Sequence, residues 1–180
     1  MARVDQKFFS QDTLNIAQNL LGNIIVSKVG GQIRKGRIVE TEAYIGSDDL
    51  ACHTRFGRTK RTETMYAPAG RAYIYLCYGI HELLNIVTDK EGSPAAVLIR
   101  RIEPLTEKDP KLKSYGPGNL TRYLNISRRE NNLDLISSKM LYLEDDGFAA
   151  DSLSIKTGKR VGVDYAGEWA DKPWRFYLDK

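Results

Sequence analysis

Two glutamates near the start of the chain are the residues best suited to catalysis. Glu40 and Glu42 lie in the β-rich stretch of residues 37–45. Side chains two apart on a strand point the same way, roughly 7 Å from each other. In a cleft, desolvation and the neighbouring like charge raise the pKa of at least one carboxylate, which suits general acid or base catalysis. The competing interpretation is a solvated polar face. The alternation places Val39, Ala43 and Ile45 on a core face, and Ile38, Glu40, Glu42 and Tyr44 on the other.

Basic residues follow in a loop that is a candidate phosphate contact. The loop, residues 54–61, contains Arg55, Arg58, Lys60 and Arg61 among threonines and glycine. Guanidinium groups, hydroxyls and free backbone amides bind phosphate oxygens well, although a merely solvated basic loop would have the same composition. Residues 116–118, a Gly-Pro-Gly before a helix, offer either backbone amides for another phosphate or only a turn.

His53 precedes this loop and is one of two histidines in the chain. Together with Glu42 it would supply part of a metal site, but no His-x-x-x-His or Cys-x-x-Cys spacing supports one. An ordinary hydrogen-bonding loop histidine is the alternative. We therefore predict no metal.

A tyrosine-rich strand, residues 70–78, ends in a predicted turn at Tyr78-Gly79. Tyr73 and Tyr75 share one face of the strand, where they could stack on a flat ring. Tyr78 and Ile80 would lie at the exposed hairpin tip, which ordinary proteins avoid. An aromatic side chain at such a tip is suited to wedging between base pairs. The alternative is that these tyrosines belong to the core.

The elements that must position these residues indicate an α+β fold. A helix begins at a Ser10 cap and stops at Gly22, and glycines 30 and 31 join two strands in a hairpin. Residues 46–70 read mostly as loop, and residues 119–125 as a helix. Further strands are predicted at residues 95–100, 141–144, 153–156, 161–163 and 175–178. The expected architecture is a single compact domain, residues 1–180, with a mainly antiparallel, hairpin-built curved β-sheet flanked by helices and a protruding β-hairpin.

Composition excludes several classes of protein. A chain of 180 residues suits one well-buried domain. The net charge of +4 is compatible with a polyanionic partner. Two cysteines, Cys52 and Cys77, provide no disulfide framework and no metal-ligand set. The absence of an apolar stretch of about 20 residues and of a signal-peptide pattern at the N-terminus predicts a soluble intracellular protein.

Motifs along nearly the whole chain resemble the alkyladenine (3-methyladenine, methylpurine) DNA glycosylase family. The resemblance rests on Glu-Thr-Glu-Ala-Tyr and Ala-Cys-His motifs, the tyrosine-rich strand, the Gly-Pro-Gly and Arg-Val-Gly-Val motifs, and an aromatic tail. They occupy residues 39–46, 51–53, 57–59, 73–79, 85–86, 97–100, 103–104, 116–118, 160–163, 166–170 and 173–177. The implied reaction is excision of damaged purines from duplex DNA.

The resemblance implies a role for individual residues. Glu42 would be the general base for a water held by Arg100 and the backbone carbonyl of Val161. Tyr44, Tyr75 and the loop with Ala51 and His53 would enclose the flipped purine, with the His53 amide facing one of its edge nitrogens. Asn85 would disfavour the amino group of normal guanine, and Tyr78 would be the intercalating wedge. Arg58 and Arg61 would contact DNA phosphates.

The resemblance also implies a monofunctional enzyme, because nothing near Glu42 resembles the lysine nucleophile of a bifunctional glycosylase. No cofactor is expected, the partner is double-stranded DNA containing damaged purines, and a monomer that is cytoplasmic or nucleoid-associated is expected. Two rivals stay open: a non-catalytic DNA- or RNA-binding module that uses the basic loop and the tyrosine hairpin, and a metal-dependent nuclease. The nuclease would use Glu42, Asp48, Asp49 and His53.

Overall fold

The computed structural model describes residues 1–112, 115–148 and 155–179. These residues form nine strands and two α-helices. The strands are β1 (Ala2–Arg3), β2 (Ile24–Ser27), β3 (Arg34–Ile45), β4 (Ala72–Cys77), β5 (His81–Val87), β6 (Ala95–Pro104), β7 (Leu141–Asp145), β8 (Ile155–Gly158) and β9 (Arg175–Leu178). The helices are α1 (Thr13–Asn19) and α2 (Pro117–Leu124), and 3-10 helices span Phe8–Ser10, His53–Phe56, Glu63–Tyr66, Arg128–Glu130 and Asp164–Asp171. In this described part of the chain, no helix is long and apolar enough to cross a membrane.

The strands build one curled antiparallel sheet in the order β1-β7-β2-β3-β6-β5-β4, with β9 lying between β3 and β8. The 12-residue strand β3 is its centre. β2 pairs with the beginning of β3 up to Arg37, and β9 pairs with it from Glu40 to Glu42. β6 pairs with the opposite edge of β3 in antiparallel orientation. The predicted α+β class and the hairpin-built antiparallel sheet are thus confirmed.

A register shift on both sides of Glu40 decides which side chains of β3 face the core. Ile38 and Ala43 both pack in the main hydrophobic core, although five residues separate them and undisturbed alternation would put them on opposite faces. The prediction that Ile38 shares the glutamate face was therefore wrong. An irregularity of this kind re-aims the side chains that follow it, as β-bulges do.

Helix α1 begins two residues later than a Ser10 cap would require. Asp12 is its cap and accepts a hydrogen bond from the Asn15 amide at 3.0 Å, whereas Ser10 ends a separate 3-10 turn. Both residue types cap helices well, and Asp12 lies directly before the first helical residue. The helix ends at Asn19 with Leu20 as its C-cap, earlier than the predicted stop at Gly22, which has φ +90°. α1 packs on the sheet, where the Thr41 hydroxyl donates to the Ala17 carbonyl at 2.7 Å.

The β4–β5 hairpin protrudes as predicted, with Tyr78 and Gly79 in the left-handed region at φ +50° and +72°. Residues 161–163 do not form the predicted strand. Gly162 has φ +74°, and this turn leads into the 3-10 helix Asp164–Asp171. For the predicted strand at 153–156, the first two residues lie outside the described part, and β8 begins at Ile155. α2 begins at Pro117, earlier than predicted, because proline fits the first position of a helix.

Candidate active site

A cavity of about 820 Å³ lies beside the β4–β5 hairpin. Its walls come from strands β3, β5 and β6, the loop with the 3-10 helix His53–Phe56, the residues after Arg160 and the start of α2. The predicted site residues other than Arg58 all line it, namely Glu42, Tyr44, Ala51, His53, Arg61, Tyr75, Tyr78, Asn85, Arg100 and Val161. Residues far apart in the sequence therefore meet at one concave surface, as ligand sites usually do.

Glu42 is a fully buried carboxylate at the wall of this cavity. Its Oε1 accepts a hydrogen bond from the Val161 amide at 2.8 Å. Its Oε2 accepts one from the Tyr44 hydroxyl, also at 2.8 Å. Both donors favour the ionised carboxylate. The contact that the structure gives to Val161 is therefore made by its backbone N–H, while the predicted use of its carbonyl toward water stays a prediction.

Arg100 lies between the two glutamates of β3. Its Nε is 3.3 Å from Glu40 Oε1 and 3.3 Å from Glu42 Oε1. Glu40 also pairs with Arg175 Nε at 2.9 Å and with Arg101 Nε at 3.5 Å. Glu40 thus pairs with three arginines, whereas Glu42 pairs with Arg100, the guanidinium that it shares with Glu40.

Burial raises the pKa of Glu42 above its ordinary 4.5, and the nearby Glu40 charge raises it further. Arg100 and the hydrogen bonds from Val161 and Tyr44 act in the opposite direction without cancelling this effect. A carboxylate with a raised pKa is a better proton acceptor once ionised. Burial and the charge of Glu42 hold the pKa of Tyr44 well above 10. Tyr44 therefore stays protonated, and its hydroxyl donates a hydrogen bond to Glu42.

Aromatic side chains form one wall of the cavity. The His53 and Tyr75 rings meet edge to face with centroids 4.4 Å apart. His53 Nδ1 lies 3.0 Å from the hydroxyl of Tyr73. Tyr73 is itself buried beside Met65 and Cys52 and lies 5.5 Å from Tyr75 between ring centroids. Tyr73 lines the cavity beside Tyr75, on the shared strand face that the alternation predicts, but it is only 2% exposed and leaves little surface on which a flat ring could stack.

His53 is neutral at physiological pH. Burial lowers its pKa from 6.5 to about 4, and the positive charges of Arg61 and Arg55 lower it further. Burial likewise raises the pKa of Tyr73 to about 12 and that of Tyr75 above its ordinary range. The aromatic wall is consequently uncharged at neutral pH.

Asn85 and Ala51 are buried residues of the cavity lining. Asn85 is buried on β5 opposite Leu98 of β6, and its Nδ2 donates to the Tyr73 carbonyl at 3.2 Å. The Ala51 amide donates to Asp49 Oδ1 at 3.0 Å. The Asn85 amide group is thus fixed by the neighbouring strand β4.

The two arginines predicted to contact phosphates lie in different surroundings. Arg58 is exposed and forms a two-pronged pair with Glu63, at 2.9 and 2.6 Å. Arg61 lines the cavity, with its guanidinium 5.2 Å from the centroid of the Tyr75 ring. Arg61 is therefore close to the aromatic wall, and Arg58 lies outside the cavity lining.

Sequence reasoning missed one component of the site, a buried ion pair between Asp49 and Arg160. Both side chains are fully buried, with Arg160 Nη1 2.5 Å from Asp49 Oδ2 and Nη2 2.9 Å from Oδ1. The two residues are 111 positions apart in the chain, so no local spacing could reveal the pair. The only available signal was that Arg160 directly precedes Val161.

Comparison with known proteins assigns the chain to a family. The methylpurine-DNA glycosylase (MPG) family profile matches residues 7–180. The chain belongs to the methylpurine-DNA glycosylase family. It is accordingly an enzyme, a hydrolase acting on the N-glycosidic bond, with DNA as its substrate and DNA repair as its setting.

Curated relatives of the family cover almost the whole chain. A protein of Myxococcus xanthus (strain DK1622) is 46% identical over 173 residues, which are 96% of this chain and 88% of the relative. One of Anaeromyxobacter sp. (strain Fw109-5) is 45% identical, covering 98% of this chain and 89% of the relative. One of Clostridium perfringens (strain SM101 / Type A) is 42% identical, covering 98% and 95%. All three carry 3-methyladenine DNA glycosylase in their names.

Family membership fits poorly with the metal-dependent nuclease considered above. Its acidic residues have other partners: Asp49 binds Arg160, and Glu42 binds Tyr44 and Val161. Among residues 1–112, 115–148 and 155–179, no three carboxylate, histidine or cysteine side chains form a group that could hold a metal ion.

Proposed function

We propose that this methylpurine-DNA glycosylase flips damaged purines, alkylated or deaminated, out of duplex DNA and hydrolyses the N-glycosidic bond with a water activated by Glu42. The observation that carries the proposal is the setting of Glu42: a fully buried carboxylate that lines a large cavity and receives hydrogen bonds from Tyr44 and Val161. Burying a carboxylate is costly, and such arrangements concentrate at catalytic sites.

In the proposed reaction, the water oxygen bonds to the anomeric carbon of the sugar and Glu42 accepts the water proton. The base leaves with the electron pair of the N-glycosidic bond, which yields a free purine and an abasic site that starts base excision repair. The transition state resembles an oxocarbenium ion, so the negative charge of Glu42 also offsets the positive charge that develops on the sugar. Arg100, 3.3 Å from Glu42, and the Val161 carbonyl would orient the water. No cofactor takes part.

The aromatic wall would bind the extruded base. Alkylated purines carry positive charge, and cations are attracted to the faces of tyrosine rings. The neutral His53, with its pKa lowered to about 4 by burial, would not repel such a base. Tyr44, Tyr75 and the loop of Ala51 and His53 would enclose the ring. The fixed Asn85 would reject the exocyclic amino group of normal guanine, because that group would lack space or a partner.

Tyr78 would fill the gap that the flipped nucleotide leaves. It lies at the hairpin tip with 89% of its surface exposed, beside Ile80 with 65% exposed. Flipping costs a few kcal/mol of stacking and pairing, and one stacked aromatic ring recovers about 1–3 kcal/mol. Arg58 and Arg61 would contact the flanking phosphates. Arg58 would have to exchange its Glu63 partner for a phosphate, which an exposed pair does at little cost.

The enzyme would be monofunctional and would act as a monomer. Lysine is not among the described residues that line the cavity, so none of these residues offers an amine that could displace the base and lead to strand cleavage. A single copy leaves the cavity mouth and the tip of Tyr78 open for duplex DNA.

The deciding experiment incubates the protein with a duplex containing one 3-methyladenine or hypoxanthine and detects free base. We expect base release without strand cleavage, and release that a chelator does not inhibit. Glu42→Gln should lower release by about 10²- to 10⁴-fold while duplex binding persists. A protein that binds the duplex but never releases base, in wild type as in Glu42→Gln, would instead be a non-catalytic binding module.

A further inference from the structure

Asp49 and Arg160 form a buried, two-pronged ion pair near Glu42, the candidate general base, with oxygen–nitrogen distances of 2.5 and 2.9 Å. The guanidinium has two further acceptors, the carbonyls of Ala43 and Trp169, each at 2.9 Å. Asp49 in turn accepts hydrogen bonds from the amides of Ala51 at 3.0 Å and Ile45 at 3.3 Å. One ion pair thus connects the end of β3, the loop that follows it and the segment that begins at Arg160.

Each of these segments carries a group that touches Glu42 or the cavity. The Ala43 carbonyl lies in the backbone between Glu42 and Tyr44, and the Arg160 guanidinium is 4.8 Å from the centroid of the Tyr44 ring. Val161, whose amide donates to Glu42 at 2.8 Å, is the next residue after Arg160. Both hydrogen-bond donors of the Glu42 carboxylate are therefore adjacent to Arg160, one through the chain and one through ring contact.

We propose that Asp49 and Arg160 are positioning residues for the hydrolysis, holding the Val161 amide and the Tyr44 hydroxyl against the carboxylate of Glu42. Neither residue touches substrate. The proposal rests on the proposed role of Glu42 as general base. It adds that the hydrogen-bond geometry of the Glu42 carboxylate depends on the buried ion pair of Asp49 and Arg160.

Stability alone gives a weak reason for such a pair. Two charges lose their hydration on burial, and well-packed apolar residues often replace a buried ion pair without loss of stability. An apolar pair, however, could not accept from the Ala51 amide or donate to the Ala43 and Trp169 carbonyls. The pair fixes the segments that hold the Glu42 donors in a single arrangement, which is the task of a supporting layer in a preorganised site.

The proposal predicts a change in pH dependence. Hydrogen bonds to an ionised carboxylate favour the ionised form. When the donors are displaced, the pKa of Glu42 rises, and the base must be ionised to accept a proton. The acid limb of the pH–rate profile should then move to higher pH, by roughly one to two units. Base release at neutral pH should fall on the order of 100-fold, with little change in duplex affinity.

The experiment uses three variants of the full chain: Arg160→Lys, Asp49→Asn, and the apolar pair Asp49→Leu with Arg160→Met. Lysine keeps the charge but not the planar fork. The matched control is Asp146→Asn, which removes an exposed two-pronged pair with Arg37, at 3.0 and 2.6 Å. For each folded variant, urea unfolding gives stability, and single-turnover release from a hypoxanthine duplex gives the pH profile.

We expect the double variant Asp49→Leu with Arg160→Met to fold but to have its acid limb at higher pH than wild type. We expect Asp146→Asn to have the wild-type pH–rate profile. If the apolar pair recovers both stability and the wild-type profile, the ion pair is only structural and the proposal is wrong. The proposal is equally wrong if none of the three variants folds. Failure of the proposed function gives a different result. If Glu42→Gln is as active as wild type, Glu42 is not the general base, whatever the Asp49 and Arg160 variants do. If Glu42→Gln is inactive but the apolar pair has the wild-type pH profile, only the positioning role is wrong.

Discussion

Tyr44 donates its phenolic hydrogen to Oε2 of Glu42 at 2.8 Å, although the two residues are neighbours on the same face of one strand. Side chains at positions i and i+2 of a strand are parallel, so β3 alone supplies both the carboxylate and one of its donors. The second donor, the Val161 amide, comes from the opposite end of the chain. The proposed base is therefore held partly by local strand geometry and partly by tertiary structure.

Tyr44→Phe tests the local part of this arrangement. The ring remains, but the hydrogen bond that favours ionised Glu42 is lost, so the pKa of Glu42 rises and the acid limb of the reaction moves to higher pH. Hydrogen bonds to charged groups contribute about 1.5–3 kcal/mol, which corresponds to a displacement of the acid limb by roughly one to two pH units. Single-turnover assays across the pH range would measure this. Tyr142→Phe, on the distant strand β7, is the control. A wild-type profile in Tyr44→Phe would contradict the role of this hydroxyl.

Glu40→Gln should move the acid limb in the opposite direction. The Glu40 charge raises the pKa of Glu42 and competes for Arg100, which lies 3.3 Å from both carboxylates. Removing that charge lowers the pKa of Glu42, so the base stays ionised at lower pH. Some stability will be lost, because Arg175 also loses a partner at 2.9 Å. Glu144→Gln removes a pair with Lys35 and provides the control for lost ion pairing alone. An unchanged or upward-shifted limb in Glu40→Gln would refute the coupling.

Much of the fold could be predicted because its signals are local. The Gly30-Gly31 hairpin and the turn at Tyr78-Gly79 contain glycines, which accept positive φ, and the sheet has strands where β-rich segments occur. The register shift around Glu40 was not predictable, because it arises from the pairing of β3 with β6. Residues 161–163 look like a strand from their valines, yet Gly162 turns the chain there.

For the site, the resemblance to the family supplied the individual roles, whereas the sequence alone supplied the two glutamates, the basic loop, His53 and the tyrosine hairpin as candidates. The structure brings most of these residues to one cavity, but their roles stay predictions. The pairing of Asp49 with Arg160 was not predictable from local spacing, since opposite charges separated by 111 positions can meet only through the fold. Arg58 and Arg61 looked equivalent in the loop, and only tertiary contacts separate them.

Glu42→Gln should make the protein more stable at neutral pH while it removes activity. The folded-state pKa of Glu42 is raised above 4.5 by burial, so ionising this group opposes folding. This penalty is absent below the unfolded-state pKa and appears as pH rises through the folded-state pKa. The stability advantage of glutamine should therefore be present at pH 7 and disappear under acid conditions. Urea unfolding of both proteins at the two pH values measures it. Lower stability of Glu42→Gln at pH 7 would contradict the raised pKa.

His53 should contribute to acid unfolding. Its pKa is about 4 in the folded protein and about 6.5 when unfolded, so its contribution to stability is fully present above 6.5 and is lost as pH falls toward 4. That difference corresponds to at most roughly 3 kcal/mol. His53→Asn should flatten the decline in unfolding free energy over this interval, and His81→Asn is the matched control. If His53→Asn loses stability with pH as steeply as wild type, His53 is not the group that titrates.

Tyr78→Ala tests whether the exposed hairpin tip opens the duplex. Because the side chain is 89% exposed, its removal should leave stability within about 0.5 kcal/mol of wild type. Loss of one stacking contact of about 1–3 kcal/mol should slow base release from duplex DNA by roughly 10- to 100-fold. Release from single-stranded DNA needs no wedge and should be unaffected. Tyr78→Phe keeps the ring and should retain duplex activity, and Leu105→Ala removes another exposed apolar side chain, 45% accessible, outside the cavity lining. If Tyr78→Ala releases base from duplex DNA as fast as wild type, the energy for flipping must come from the cavity itself, through the binding of the extruded base by Tyr44, Tyr75 and His53.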